Sequence, residues 1–421
     1  GGADLRAHWQ RQWLQGEVLA RQMDYWTAQL SGLPVVHSLP LDHQRPALQT
    51  FAGEIYESGI DAHTHATLRS LCERHGATLF MGLHAAFSVL LSRYSNETDI
   101  VIGSPIANRE QNDIADLIGF FVNTLVLRSD LSEQPSFEEL LRQSKNTLLD
   151  AYAHQQVPFE HIVEQLKPER NLSHSALFQI MLVLQNNEQA SLDLPGLVLS
   201  PMAGDSVVAK YDLTLTASES SGGLYLSWEY NTDLFESSTI ARMAEHFSIL
   251  LKALVASPTA NVFKAEMLSS AQQEQLLTAW NDTDIDYPRG QCVHELFEQQ
   301  AEENPEAIAL VFDGQQLTYR ELNERANRLA HYLIDEKQVV PDTLVGICVE
   351  RSVDMLVGLL GILKSGAAYV PLDPNYPESR LAYMLDDAKL TTVLTQSHLR
   401  DITTVSHEHA VYLDDDKSEQ H

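Results

Sequence analysis

The feature that most restricts the fold is a run of apolar residues between Thr78 and Tyr94. Its apolar side chains recur at helical spacing and also point to almost every side of the helix. They are Leu79, Leu83, Ala86, Phe87, Leu90 and Leu91. Because a helix that is apolar all round has to be covered on all sides, the sequence predicts a buried helix in a layered core.

Helix and strand patterns around this run predict an α/β unit. A helical pattern from residue 17 stops at Ser31-Gly32, and Asp61 can cap a helix that Gly76 ends. Ser136 and Glu139 have the spacing of a capping box, and a further helix ends this part of the chain near residue 256. The strand candidates are "DIVIGSPI", "GFFVNTLVLR", "FQIMLVLQN", "YDLTLTAS" and "GLYLSWEYN".

The pattern of secondary-structure signals changes between the two halves of the chain. From about residue 264 to 289 one short helical pattern is followed by Asn, Asp, Thr and Pro without periodicity, which is typical of a linker. Beyond it, an Asp313-Gly314 hairpin and a capping box at Thr318 and Glu321 precede strands that alternate with helices. Such alternation indicates a parallel sheet. We therefore expect domains at 1–265 and 291–421, with a linker at 266–290.

Composition excludes several classes of partner. The chain has 28 basic and 58 acidic residues and a formal charge of −30, so it would repel nucleic acid and anionic membranes. Apolar stretches such as "MLVGLLGIL" are too short to span a bilayer, and the N-terminus lacks the pattern of a signal peptide. The three cysteines are scattered, which suits a reducing compartment. We therefore expect a soluble, cytoplasmic protein with no nucleic-acid or membrane partner.

Several motifs occur in an order that resembles a nonribosomal peptide synthetase. "IGFFVNTLVLR", "HQQVPFEHIVEQL" and "ERNLSHSALFQIMLVLQN" are similar to motifs of the C-terminal lobe of its condensation domain, and "AKYDLTL" is also similar. The chain departs from the family at Gln156 and Asn171, where Asp is usual, and at His174, Ser175 and Ala176. Further on, "LTYRELNERANRLAHYL" and "LKSGAAYVPLDPNYPESRLAYMLDDA" resemble the first two motifs of an adenylation domain.

The resemblance implies a fold and an activity for the parent enzyme. The fold would be a chloramphenicol-acetyltransferase-like α/β lobe followed by an incomplete, parallel-sheet adenylation subdomain. The parent would use ATP and magnesium to activate amino acids as adenylates. It would join carrier-protein-bound thioesters, held on 4′-phosphopantetheine arms, into peptides of secondary metabolism such as antibiotics. Carrier proteins and adjacent synthetase domains would be its partners.

The chain lacks motifs on which these activities rest. None of the 17 histidines forms the adjacent pair of the family's His-His-x-x-x-Asp-Gly motif, and the first residues resemble the segment just after it. No Gly/Ser/Thr-rich phosphate loop with a Lys is present, and Lys364 in "LLGILKSG" is better explained as a helix end before Gly366. We therefore predict that the chain alone is inactive and binds no cofactor.

Asn123 is the first candidate for a residue that lines the substrate channel. It lies with Thr124 at the centre of an apolar strand pattern, where an unpaired buried amide costs about 1–3 kcal/mol. One reading is an amide satisfied within the sheet; the other is a polar group facing a passage between two lobes. By the resemblance, Gln156, Tyr211 and Asp212 are further channel candidates, although Asp212 could simply pair with a nearby Arg or Lys.

Other polar groups have simpler explanations. His154 and the Pro158-Phe159 pair are expected to end one helix and start the next. The pairs His63/His65 and His407/His409 are expected to be solvated, because residues two apart on a helix diverge and no third metal ligand is suitably spaced. No metal site is therefore predicted.

Other functions remain open on the sequence alone. The chain could be a non-catalytic platform that docks carrier proteins or holds neighbouring domains. A free-standing acyltransferase of the same fold is disfavoured by the adenylation-like segment. An epimerization domain is a related alternative that "FFVNTLVLR" fits less well.

Overall fold

The structure is a computed structural model that describes residues 12–107, 122–169, 171–185, 207–400 and 405–415. The chain divides into two compact units, residues 1–283 and 284–421. The division falls inside the segment 266–290 that the sequence marks as a linker. Each unit has its own sheet and its own apolar core.

The first unit is a mixed α/β structure. Its helices are α1 (Gly16–Gln29), α2 (Ala62–Arg74), α3 (Leu79–Ser95), α4 (Phe137–Ala153), α5 (Phe159–Leu166), α6 (Ser237–Ala256) and α7 (Ser270–Leu277), with short 3-10 turns at Val262–Lys264 and Ala279–Asn281. Its strands are β1 (Ala52–Asp61), β2 (Asp99–Ile106), β3 (Asn123–Asp130), β4 (Ile180–Gln185), β5 (Val207–Val208), β6 (Leu213–Ser220) and β7 (Gly223–Asn231). They form one sheet in the order β3-β2-β4-β6-β7-β1-β5. Within it, β2, β4 and β6 run parallel and the other pairs are antiparallel.

The predicted helix boundaries are confirmed by their capping contacts. The carboxylate of Asp61 accepts a hydrogen bond from the Thr64 amide at 2.8 Å, and Gly76 has a φ of +60°, which ends the turn after α2. Ser136 and Glu139 form the reciprocal capping box of α4. These helix ends could be predicted from the sequence because each capping contact joins residues within one helical turn.

The predicted buried helix is α3. Every residue from Met81 to Ser92 is buried, and α3 contacts α2, α4, α6 and β2. The Phe87 ring packs edge-on against Trp228 of β7 and Phe247 of α6, with ring centroids 6.2 Å apart in both pairs. The apolar run is therefore at the centre of the helical layer, as the sequence predicts.

The two faces of the sheet are covered differently. A layer of helices covers one face: α2 and α6 contact β1 and β7, α3 contacts β2, and α4 contacts β3. On the other face the ring of Phe178 lies against Gly103, where a Cβ would be only 2.2 Å from the ring. Gly103 is thus required for Phe178 to pack on the strand.

The second unit contains the predicted hairpin and parallel sheet. Its helices are α8 (Val293–Glu303), α9 (Tyr319–Asp335), α10 (Val353–Lys364) and α11 (Glu378–Asp387), with a 3-10 turn at Ser397–Leu399. Its strands are β8 (Ile308–Phe312), β9 (Gln315–Thr318), β10 (Leu344–Cys348), β11 (Ala368–Pro371), β12 (Val393–Thr395) and β13 (Ala410–Tyr412). β8 and β9 pair as a hairpin, and the remaining strands form a parallel sheet in the order β11-β10-β12-β13.

Two local expectations are wrong. Asn123 is the first residue of β3 and not the middle of a longer strand, because Val122 has no strand pairing; residues 118–121 of the motif lie outside the described residues. His65 is buried, not solvated, and its Nε2 lies 2.9 Å from the Glu219 carboxylate of β6. Sequence spacing could not show that β6 passes beside α2.

In the part of the chain that the structure describes, no single helix is long and apolar enough to cross a membrane. Among the described helices, one pair, α2 and α3, passes the length and composition test when taken together, and it is bent by 110° at the break between them.

A buried histidine lies inside the helical layer. His84 of α3 is fully buried, its Nδ1 is hydrogen-bonded to the Ser144 hydroxyl of α4, and its Nε2 has no partner among the described residues. Burial lowers the pKa of His84 to about 4, because the charged ring would lose its hydration. The folded protein therefore holds this ring neutral at pH values where the unfolded chain would protonate it.

We expect the free energy of unfolding to fall as the pH drops from about 6.5 towards 4, since the unfolded chain binds a proton that folded His84 does not. The loss due to this residue should reach about 3 kcal/mol below the folded pKa. Urea unfolding over this pH range measures it. His84→Leu should remove this part of the slope, whereas His43→Leu at an exposed position should keep it; equal slopes in both variants would contradict the assignment.

Candidate functional site

The side chain of Asn123 joins β3 to the segment between α4 and α5. Its Nδ2 donates to the carbonyls of Gln155 and Val157 at 3.0 and 2.9 Å, and its Oδ1 accepts from the Phe159 amide at 3.0 Å. The residue is only 8% exposed. An amide suits this position because its NH2 group offers two donors and its oxygen accepts, all without charge.

The segment held by Asn123 carries the "HQQVPFE" motif. As predicted, α4 ends at Ala153 with His154 as its C-cap, and α5 begins after Pro158. The indole of Trp26 in α1 donates to the His154 carbonyl at 2.9 Å, so the segment is held from a second element. Gln156 lies half-buried at its middle. The structure therefore brings two of the predicted site residues, Asn123 and Gln156, together.

Tyr211 reaches the same region through a row of aromatic rings. Its ring is 5.1 Å from that of Phe178, and Phe178 is 5.6 Å from Phe159, whose amide is bonded to Asn123. The Lys210 ammonium lies 5.6 Å from the centre of the Tyr211 ring. The row covers the face of the sheet opposite the helical layer, beside Gly103.

Asp212 has the predicted cation as a partner. Its Oδ2 is 2.6 Å from both the Arg45 guanidinium and His37 Nε2, and it is 2% exposed. Burial alone would raise the pKa of this carboxyl, but the hydrogen bonds from His37 and Arg45 and the positive charge of Arg45 outweigh it and hold the pKa below its usual value.

The pair of His37 and Asp212 does not make a general base. His37 Nδ1 accepts the Leu39 amide proton at 3.1 Å, which leaves the Nε2 proton to be donated to Asp212. Both ring nitrogens are therefore used, and no lone pair is left for a substrate proton. The cluster orders the connector that contains His37 and Arg45 against the sheet.

The four predicted residues lie at two ends of the sheet. Asn123 pairs with Ile106, the last residue of β2, whereas Asp212 directly precedes β6, which runs parallel to β4 and β2. Asn123 and Gln156 are thus at the end where these strands finish, and Asp212 is where they begin. Tyr211 connects the two ends through Phe178 and Phe159.

Sequence reasoning did not find the other members of these clusters. His37 and Arg45 lie in a turn-rich connector more than 160 residues from Asp212, and no spacing signals their contact. Glu229 of β7 was also missed: it lies opposite Thr214 and Ile55 on the face away from the helices, and no cation pairs with it among the described residues. Burial raises the pKa of its carboxyl.

In the second unit, Lys364 is not available to a phosphate. It ends α10 and is followed by Gly366 with a φ of +84°, as the helix-stop interpretation predicts. Its ammonium is buried, pairs with the Glu298 carboxylate and lies 5.9 Å from the Phe297 ring centre. No group of three potential metal ligands is found in the described part of the chain.

Comparison with protein families decides the identity. The model of the condensation domain matches residues 6–277, and that of AMP-binding enzymes matches residues 297–421. The chain belongs to the condensation-domain family. Its fold is accordingly a mixed α/β condensation domain structure followed by the start of an adenylation domain, and the sequence is that of part of a nonribosomal peptide synthetase.

Individual relatives agree with this assignment. Linear gramicidin synthase subunits B and C of Brevibacillus parabrevis are 49% and 47% identical over 395 residues, which is 93% of this chain. The chain spans only 8% and 5% of their lengths. A crystal structure of a four-domain nonribosomal peptide synthetase bound to AMP and glycine is 28% identical, with a TM-score of 0.78 over 93% of this chain and 31% of that one.

We expect Arg45→Met to destabilise this condensation domain by about 3 kcal/mol, because it leaves the buried Asp212 carboxylate without the cation that balances its charge. The matched control is Arg69→Met, whose pair with Glu219 is 54% and 42% exposed and should contribute less than about 1 kcal/mol. Urea unfolding at neutral pH measures both. Equal losses would show that Asp212 does not depend on Arg45.

Proposed function

We propose that this chain contributes one wall of the substrate passage of a condensation domain in a nonribosomal peptide synthetase. The observation that carries the proposal is the Asn123 amide, because it hydrogen-bonds the start of β3 to the "HQQVPFE" segment, and both belong to condensation-like motifs. The match of a condensation model and an AMP-binding model in the usual order supports it.

In the proposed reaction, the amine of an acceptor amino acid attacks the thioester carbonyl of a donor acyl group. Both are delivered on 4′-phosphopantetheine arms by carrier proteins, which are substrates and partners of this surface. The C–N bond of the peptide forms, the C–S bond of the thioester breaks, and the donor arm leaves as a thiol once the proton lost by the amine has been returned to its sulfur. Holding two reactants together removes the entropy cost of their encounter and supplies much of the acceleration. The product would be a peptide of secondary metabolism.

The predicted residues take different parts in this wall. We place Gln156 and Tyr211 along the passage, since both are only half-buried and lie in segments that fixed contacts hold in position. Asn123 and Asp212 are more deeply buried, and we assign them to positioning the segments that carry those side chains. All four are thus assigned to the channel wall, two as lining and two as support.

ATP and magnesium belong to the adenylation step of the proposed synthetase, but the residues present here do not fit them. The sequence has no Gly/Ser/Thr-rich loop with a Lys, and Lys364 is paired with Glu298. The described residues also hold no cluster of potential metal ligands. No step of amino acid activation is therefore assigned to this chain.

We expect the purified chain alone to form no dipeptide from loaded donor and acceptor carriers, because the sequence contains no His-His-x-x-x-Asp-Gly motif to handle the acceptor amine. Mass spectrometry of the carriers measures the product. Turnover above an enzyme-free blank would contradict this, and a carrier titration by NMR would show whether the chain still docks carriers as a non-catalytic platform.

In the complete synthetase, Asn123→Ala should lower the condensation rate about tenfold or more, because a displaced wall misaligns the reactants. It should also cost about 3 kcal/mol of stability by leaving backbone groups unpaired. Dipeptide formation by loaded carriers measures the rate.

Gln143→Ala is the matched control. Gln143 of α4 is a half-buried amide whose side chain donates to the Asp130 carbonyl and accepts from the Asp130 amide, both at 2.9 Å, at the end of β3 opposite Asn123. It should lose some stability, because it leaves backbone groups without their side-chain partner, and keep the condensation rate. The rate of aminoacyl adenylate formation in each variant reports whether the rest of the enzyme is intact. Equal losses of condensation rate in both variants would refute a special role of Asn123.

A further inference from the structure

A cavity of about 120 Å³ opens at the end of the first unit's sheet where β2 and β4 begin. It lies at the opposite end of these strands from Asn123, which pairs with the last residue of β2. Most of its wall is apolar and comes from the connector before β1, from α3, from β2 and from the start of β4. The apolar wall residues include Val36, Leu39, Leu91, Ile100, Leu177 and Ile180.

The volume and the wall define what the cavity can hold. Apolar cavities of the order of 150 Å³ in proteins bind benzene-sized molecules. An apolar group of this size would pass from water into contact with a wall made largely of Val, Leu and Ile side chains. This transfer is favourable in proportion to the apolar area that is buried. The body that fits is therefore one aromatic ring or a branched alkyl group.

Most polar groups around the cavity already have partners. The Gln179 amide accepts from the His37 backbone at 3.0 Å and donates to the Ser175 carbonyl at 2.9 Å. The ring nitrogens of His37 are bonded to Leu39 and Asp212. These groups shape the wall but offer no charge to a ligand.

The acidic groups at the mouth differ from one another. Asp99 is held by a bidentate pair with Arg128 at 2.9 and 2.8 Å, so its charge is balanced. Glu97 is exposed, and no cation among the described residues pairs with its carboxylate. A ligand that fills the cavity therefore meets one unbalanced negative charge at the mouth.

We propose that this cavity binds a small organic amine whose apolar body is about the size of a phenyl ring. The apolar part occupies the space between α3 and the starts of β2 and β4, and the ammonium lies at the mouth beside Glu97. An anionic compound with the same body is repelled by Glu97. The site is independent of the proposed peptide-bond chemistry, since it needs neither carriers nor a second lobe.

The test uses the whole chain and three probes with the same body: phenethylamine, 2-phenylethanol and 3-phenylpropionate. Methyl NMR titration should show saturable shifts at Leu91 and Ile100, which line the cavity, and none at Ile60 in β1. We expect the amine to bind about threefold to fivefold more tightly than the alcohol, as an exposed charge pair allows. The propionate should bind more weakly than either.

Two variants separate the charge from the cavity. Glu97→Gln should abolish the preference for the amine over the alcohol, whereas Glu133→Gln, at another exposed position in the same unit, should leave it unchanged. Ser38→Trp places a large ring at an exposed lining position, so the chain should fold normally and lose binding of all three probes.

Three results would overturn the proposal. The first is that phenethylamine shows no saturable binding at concentrations up to about 10 mM. A specific small ligand is expected to bind with a Kd in the millimolar range or below, so this concentration would reveal it. The second is equal affinity for the three probes in the unaltered chain. The third is binding that persists in Ser38→Trp, because the probe would then lie elsewhere.

Discussion

The structure of the first unit depends on the complete burial of α3. Every residue from Met81 to Ser92 is removed from water, and this requires helices on several sides and the sheet beneath. The aromatic contacts of Phe87 with Trp228 and Phe247 join residues from widely separated parts of the chain. The same burial keeps His84 neutral, so the stability of the helical layer is tied to pH.

On this framework, a small number of polar side chains hold the segments that carry the proposed site. Asn123 satisfies three backbone groups of the segment before α5, and Asp212 orders the connector through His37 and Arg45. Both side chains are deeply buried, so each affects the surface indirectly, by fixing the position of the segment to which it is bonded. The half-buried Gln156 and Tyr211 lie in segments that these contacts hold in position.

Much of the fold could be predicted because it follows from contacts within one helical turn or one strand. The capping of α2 by Asp61, the box at Ser136 and the parallel alternation of the second unit are of this kind. The site was only partly predictable. The amide of Asn123 could be recognised as a polar group in an apolar run, but its partners lie more than 30 residues further along the chain. The periodicity of the sequence does not identify partners at such a separation.

The sequence by itself determined the α/β class, the helix ends, the loss of helix and strand periodicity near residue 264 and the resemblance to the condensation family. These depend on residue type and local spacing, which are read directly along the chain. Only the tertiary structure decided that His65 meets Glu219, that Asp212 is bonded to His37 and Arg45, and that an apolar cavity opens beside Glu97. Such contacts depend on which distant strands and connectors become neighbours, and strand order is set by packing over the whole unit.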